Sequence, residues 1–434
     1  MPLSPNRRNR FARNRPITIR NPLIVAIAAI ALATSAAACG GTSTPSAGEP
    51  AEIADAGRKV SEPTVATDPS GRDVYVAWSV FKGFYNGDSY LIASHDGGET
   101  FGKPVHLGGD TEEYSMTPLI AVADDGTVTV AWTHLELDLL IDPEDKWSNA
   151  SWQMVANSTD GGRTFSKPVP VPRAGAKKFG YFLAMSSSPD GSTTTLYWLD
   201  WTFTYFEKEP ENLSEGAVLY ASTSTDGGRT FGPAKKLADH ACVCCTPAGY
   251  FLDGHPGVVA RGLERGNVRN PISVVSSDDG TAWKPPATIH EDGFKLPICP
   301  HVGLGAGVSG DELHTAWWTG AEGRKAIWYS TSADGTEFTD PVKVADMELP
   351  PHDNGVTLAV DGNETSWITT VDPEGGHHGS AILLWTVDGD GEVEDVGVGG
   401  ATGELPYVTG DESGGYLVWA DGPKVMLSRL EDGR

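Results

Sequence analysis

The chain has 434 residues, 39% of them hydrophobic, with 52 Gly, 30 Pro and 13 Trp. That is enough apolar surface for a large core, but Gly and Pro interrupt it too often for long helices, so the composition excludes an α-helical protein and points to an all-β fold. The formal net charge is −26 even though residues 1–38 hold six Arg and no acid. The remainder is thus more acidic still, which argues against nucleic acid as a partner and fits a solvated surface or one that meets cations.

The first segment reads as an address. Arg7, Arg8, Arg10, Arg13, Arg15 and Arg20 precede an apolar run over 23–38, which ends in Ala36-Ala37-Ala38-Cys39-Gly40. A basic stretch, an apolar stretch short for a stable span and a small-residue stop have the layout of an export signal. With Cys at the stop, it resembles a bacterial lipoprotein signal. The resemblance implies removal of 1–38, lipidation of Cys39, a flexible tether over 39–58 rich in small and polar residues, and a domain over 59–434 held at the extracytoplasmic face of the cell membrane.

Two repeats alternate through 59–434. The first is 158–165 (STDGGRTF), with copies at 94–101 (SHDGGETF), 224–231 (STDGGRTF), 276–283 (SSDDGTAW) and 332–338 (SADGTEF) and a decayed one at 386–391. Gly at the turn accepts positive φ, the Asp carboxylate and Ser/Thr hydroxyl can bond turn amides, and the aromatic tucks under the hairpin. The second is an apolar stretch, a turn and a strand ending in Trp, at 64–78, 119–132, 182–198, 303–317, 356–367 and 408–419, with a copy at 249–261 that ends in Arg261. Each unit therefore supplies two hairpins, or four strands.

The first repeat resembles the Asp-box, or BNR repeat, of sialidase-like β-propellers. The resemblance implies a propeller of four-stranded blades. Seven copies of the second repeat favour seven blades, and six recognisable boxes leave six as the alternative. The last unit lacks its fourth strand, which residues near 57–61 are expected to provide, closing the ring and removing its exposed edges. In such a ring the boxes and first-hairpin turns share one face, and the remaining connections line the other. Two of the latter, 133–151 and 199–216, are long and carry Trp147, Trp201, Tyr205 and Phe206, so Trp147 and Tyr205 are candidate ligand contacts unless they only pack the loops down.

The strongest chemical signal lies in consecutive connections on that face. One holds Cys242-Val243-Cys244-Cys245, the next Cys299-Pro300-His301 and the next His352. These are soft ligands suited to copper(I) or zinc(II). In an oxidising compartment the same four cysteines can instead form disulfides, with Cys244 or Cys245 reaching Cys299, or remain unpaired thiols. Arg261 stands where the other copies use Trp, and Arg269 follows it. The pair suits a carboxylate held near the ring centre, or, for Arg261, an ion pair with Asp253 or Glu264.

Residues 240–320 also resemble a subset of uncharacterised exported sialidase-like proteins. The wider family implies exo-α-sialidase activity through three arginines, a Tyr–Glu pair and an Asp. Here Ser61-Glu62-Pro63-Thr64 occupies the region of the first arginine motif, and no Tyr–Glu motif maps onto the chain. The reading is accordingly a membrane-tethered binding module that handles copper or zinc through Cys242, Cys244, Cys245, Cys299, His301 and His352. The alternative is a sialidase-related glycoside hydrolase or glycan-binding protein using Arg261, Arg269, Trp147 and Tyr205.

Overall fold

The computed structural model describes residues 44–82, 85–108, 114–135, 151–172, 180–204, 216–297, 300–351, 355–375 and 379–433. Within them regular structure is strand throughout, apart from one 3-10 turn at Pro373–Gly375. No helix among the described residues is long and apolar enough to cross a membrane. Cys39 and the signal segment lie outside the described residues.

Five four-stranded antiparallel sheets follow one another along the chain. Blade one is Val60–Thr67, Val74–Lys82, Tyr85–Ser94 and Val105–His106, and blade two is Tyr114–Val122, Val128–Leu135, Ser151–Ser158 and Val169–Pro170. Blade three is Gly180–Ser187, Thr194–Thr204, Gly216–Ser224 and Lys235–Cys242, and blade four is Ala248–Leu252, His255–Arg261, Pro271–Val275 and Ala287–Thr288. Blade five is Leu304–Ser309, Glu312–Thr319, Ala326–Ser332 and Val342–Asp346.

A nine-stranded sheet completes the ring and divides into two units. Thr357–Val360, Ser366–Val371, Ser380–Val387 and Val393–Asp395 form one, and Thr402–Asp411, Gly414–Asp421 and Lys424–Glu431 form the other with two N-terminal strands. Among the described residues, strands of the two units pair where Ser380 and Ala381 face Gly403 and Thr402. Counted this way, the fold is a propeller of seven units.

The closing strands differ in place from the expectation. Ala51–Asp55 and Ser46–Ala47 both pair with Lys424–Glu431, whereas Val60–Thr67 is already the inner strand of blade one. Part of the stretch expected to be tether is therefore ring. Ile53, Ala54 and Ala56 pack against the core shared by blades one and seven, and Ala47 packs between blades six and seven.

The Asp-boxes explain the turn geometry. In the second, Ser158 Oγ donates to Asp160 Oδ1 at 2.8 Å and accepts from Gly162 N at 2.9 Å. Asp160 Oδ1 also accepts from Thr164 N at 2.9 Å, and Oδ2 accepts from Thr164 Oγ1 at 2.6 Å. Gly162 has φ +75°, and a Cβ there would stand 3.2 Å from Tyr75 and Leu91 of blade one. Each box thus closes its own hairpin and leans on the previous blade. Gly97 N donates to Arg72 O and Gly227 N to Ser192 O, which places boxes and first-hairpin turns on one face as expected.

These bonds hold the carboxylates of Asp96, Asp160, Asp226 and Asp334 down to about 2, with the Ser/Thr hydroxyl bonds as the leading cause. A carboxylate depressed on folding stabilises the folded state above its unfolded pKa, and that contribution is lost as pH falls through the folded value. The melting temperature is therefore expected to hold from pH 7 to about 4 and to fall between about pH 4 and 2. Thermal melts across that range check this. A curve flat down to pH 2, or one that Asp160→Asn with Asp226→Asn leaves equally steep, would contradict it.

Trp78, Trp132, Trp317, Trp367 and Trp419 lie within their second strands, fully buried, and Trp198 is 3% exposed. The expectation that Arg261 takes the tryptophan slot of blade four is corrected by the register: in blades one, two, three and five the tryptophan lies four residues beyond the partner of its box serine, and in blade four that position is Ala260, with Arg261, at 0%, next along the strand and bonded toward blade five. A fully buried cation draws attention to what surrounds it.

Candidate functional site

The last strand of blade three, Lys235–Cys242, ends beside the second-to-third strand connection of blade four. Leu263 N donates to His240 O at 3.2 Å, and Ala241 bridges Gly262. The chain then turns through Cys244 and Cys245 into Ala248–Leu252. The turn is stitched onward, as Leu304 N donates to Thr246 O at 3.3 Å and Val356 N to Gly303 O at 3.5 Å. The consecutive connections expected to share a face do so.

Cys242, Cys244 and Cys245 are 1%, 3% and 1% exposed, and their sulfurs all lie within 4.8 Å of one another. Cys242 Sγ is 3.9 Å from Cys244 Sγ. Cys244 is disulfide-bonded, while Cys242 and Cys245 are free thiols. The disulfide's other half lies outside the described residues, as do both remaining cysteines, Cys39 and Cys299.

Two guanidinium groups are buried beside these sulfurs. Arg269, 2% exposed, donates from Nη1 to Cys242 Sγ at 3.1 Å and from Nε to Leu296 O at 3.1 Å. Arg261 donates from Nη1 to Arg269 O at 3.2 Å and from Nη2 to Trp318 O at 2.8 Å, which ties blade four to blade five. Its Nε has no hydrogen-bond partner among the described residues. Neither Asp253 nor Glu264 pairs with Arg261, and Glu264 accepts from Asn270 Nδ2 at 2.9 Å. Burial of a guanidinium bonded only to carbonyls is costly, so a nearby anion stabilises it.

The thiols supply that anion unequally. Burial disfavours the charged form of both. For Cys242 a hydrogen bond from Cys245 and the charges of Arg269 and Arg261 outweigh burial and bring the thiol down to about 6. For Cys245 the hydrogen bond to Cys242 and the charge on that sulfur add to burial and push the thiol well up. Of the two sulfurs, the charged form is thus favoured at Cys242, beside the two arginines, and disfavoured at Cys245.

The other expected site residues divide into two groups. Cys299, His352, Trp147 and Tyr205 lie outside the described residues. His301 is exposed, has φ +52°, and does not join the sulfur group, although the backbone of the next residue, Val302, bonds Cys245. Arg261 and Arg269 face the protein interior, where backbone carbonyls and a thiol take up guanidinium donors expected to meet a ligand carboxylate. Of the metal-ligand set, Cys242, Cys244 and Cys245 come together.

Nothing in the sequence pointed to a second polar cluster nearby. Asp292, its side chain fully buried, accepts from Trp317 Nε1 at 2.8 Å and contacts His290 Nδ1 at 2.9 Å. Arg324 Nη1 reaches His290 Nε2 at 2.9 Å and its guanidinium lies 4.3 Å from the Trp328 ring. The cluster ties blade four to blade five.

No family model matches the sequence, and no curated protein does. Solved structures do resemble the fold. A Hadza microbial sialidase aligns with a TM-score of 0.51 at 13% identity, covering 82% of this chain and 73% of its own. A protein of unknown function from Dyadobacter fermentans aligns with a TM-score of 0.53 at 14% identity, covering 88% of this chain and 98% of its own. The class that fold and comparison define is an all-β, sialidase-like β-propeller. At such identities the likeness extends to the fold alone.

Proposed function

We propose that this chain is a membrane-tethered extracytoplasmic binding module whose propeller carries a buried soft-metal site, with Cys242 and Cys245 as ligands and copper(I) as the preferred ion. One observation carries the reading: two free, buried thiols lie beside two buried guanidinium groups. Two thiolates and one copper(I) make a unit of charge −1, which the arginines stabilise in a medium where an unpaired ion is costly. Metal–thiolate bonds of about 2.3 Å allow one ion to join sulfurs up to about 4.6 Å apart, a span compatible with the observed clustering. Zinc(II) asks for four ligands, and the Cys244 sulfur is held in a disulfide, so the ligand count favours copper(I) over zinc. The lipid anchor at Cys39 and the extracytoplasmic location belong to the same proposal and rest on the N-terminal pattern.

The test is an anaerobic titration of the purified chain with copper(I) against a chromogenic chelator. One ion per chain is expected, with affinity lowered at least about 100-fold in Cys242→Ser and in Cys245→Ser, since losing a ligand exceeds the usual effect of losing a ligand's supporting partner. Wild-type binding no tighter than that of the double variant would overturn the reading. Release of sugar from a fluorogenic sialoside by the same preparation would instead favour the glycan-directed alternative, which draws on the fold.

A further inference from the structure

Arg261 is fully buried, and nothing that bonds it carries a negative charge. Its Nη1 and Nη2 donate to the carbonyls of Arg269 at 3.2 Å and Trp318 at 2.8 Å, and its Nε is unpartnered among the described residues. Its charge is therefore left to act on whatever lies next to it. Arg269, which supplies one of those carbonyls, donates from its own Nη1 to Cys242 Sγ at 3.1 Å, and the Arg261 charge bears on the sulfurs of both Cys242 and Cys245. A permanent cation buried behind two free thiols sets a condition on the charge of any ion those thiols hold.

We infer that Arg261 is a specificity-determining residue of this site, selecting the bound ion by its charge and favouring monovalent over divalent soft ions. The inference rests on the two-thiol reading above. A bound ion displaces both thiol protons to solvent. With a monovalent ion the resulting bis-thiolate unit has charge −1, and with a divalent ion it is neutral, the bonds formed and the protons released being the same in number. Arg261 attracts the first unit and gains nothing from the second. Softness and ligand count leave this choice open, because silver(I) and mercury(II) are both soft and both take two sulfurs in line. Charge is the one difference a buried guanidinium can read, and specificity is a difference of affinities. At an effective dielectric constant of about 20 and a separation of about 7 Å, one guanidinium favours the anionic unit by on the order of 50-fold.

The test dialyses the full chain, without oxygen, against a buffer that holds silver(I) and mercury(II) at a fixed ratio, both complexed by excess iodide. Elemental mass spectrometry then reads the two metals bound per chain. Metal retained by the double variant Cys242→Ser with Cys245→Ser is subtracted. Both ions bind the same folded chain, so their ratio is insensitive to a change in folding stability. Arg261→Met is expected to move the bound ratio toward mercury by at least about tenfold, and Arg261→Gln, which keeps a donor for a carbonyl, should move it equally. Leu263→Ala, a loss of packing in the same connection without a change of charge, should leave the wild-type ratio in place. A ratio unchanged in both Arg261 variants would overturn the inference and leave copper(I) binding standing. So would an equal shift in Leu263→Ala. A chain that holds neither ion on Cys242 and Cys245 would overturn it together with the reading on which it rests.

Discussion

Arg261→Met is expected to destabilise the folded chain by about 2–5 kcal/mol, the largest effect of any single substitution near the site. Methionine nearly matches the volume, so the loss is electrostatic rather than steric. The carbonyls of Trp318 and Arg269 each lose the donor Arg261 provides, and the Cys242 sulfur loses one of its two neighbouring cations. An acceptor left unpaired in the interior costs about 1–3 kcal/mol, which sets the scale. The same variant should bind copper(I) at least about tenfold more weakly, since the guanidinium supports the ligand set from behind. Denaturant unfolding and the chelator titration check the two parts. A variant that unfolds with the wild type would mean that Arg261 only fills space.

The second large effect is expected at the ring's closure. A chain starting at residue 57 lacks Ser46–Ala47 and Ala51–Asp55 and with them the pairings to Lys424–Glu431. At about 1 kcal/mol net for each ladder hydrogen bond, together with the burial of Ile53, the loss amounts to about 4–6 kcal/mol. It also bares Lys424–Glu431 as an open edge, so aggregation should rise with the fall in melting temperature. A chain starting at residue 44 keeps both strands and should melt as the full chain does. Equal melting of the two truncations would sink the closure.

The propeller was legible because its signals are local. An Asp-box fixes its own turn through bonds that span two to four residues, from Ser158 to Asp160 and from Asp160 to Thr164, so each copy announces a hairpin wherever it occurs. The closing strand was read a few residues late because Val60 and Ser61 look like a strand end. They are one, but of the inner strand of blade one, while AEIAD at 51–55 has no strong alternation to mark it. What fixes Ala51–Asp55 is the unpaired edge of a strand more than 360 residues away, a partner no local pattern can show.

The candidate site was half legible for the same reason. That Cys242, Cys244 and Cys245 lie on the connecting face follows from the repeat, but which of them is disulfide-bonded does not, since three neighbouring cysteines are alike in sequence. Arg261 stood out as a broken repeat, yet its direction was misread. A charge read into a tryptophan slot suggested a ligand in the ring, whereas Ala260 holds that register and the carbonyls of Trp318 and Arg269 lie within reach of Arg261. The contact from Arg269 to Cys242 joins two blades and leaves no trace in spacing along the chain.

The measurement that bears most directly on the proposed site is X-ray absorption at the copper edge of the chain loaded with one equivalent of copper(I). The account predicts a first shell of two sulfur atoms in the wild type, reduced to one in Cys242→Ser or Cys245→Ser if copper stays bound at all. A shell of nitrogen or oxygen without sulfur, or a sulfur shell unchanged by both substitutions, would contradict it.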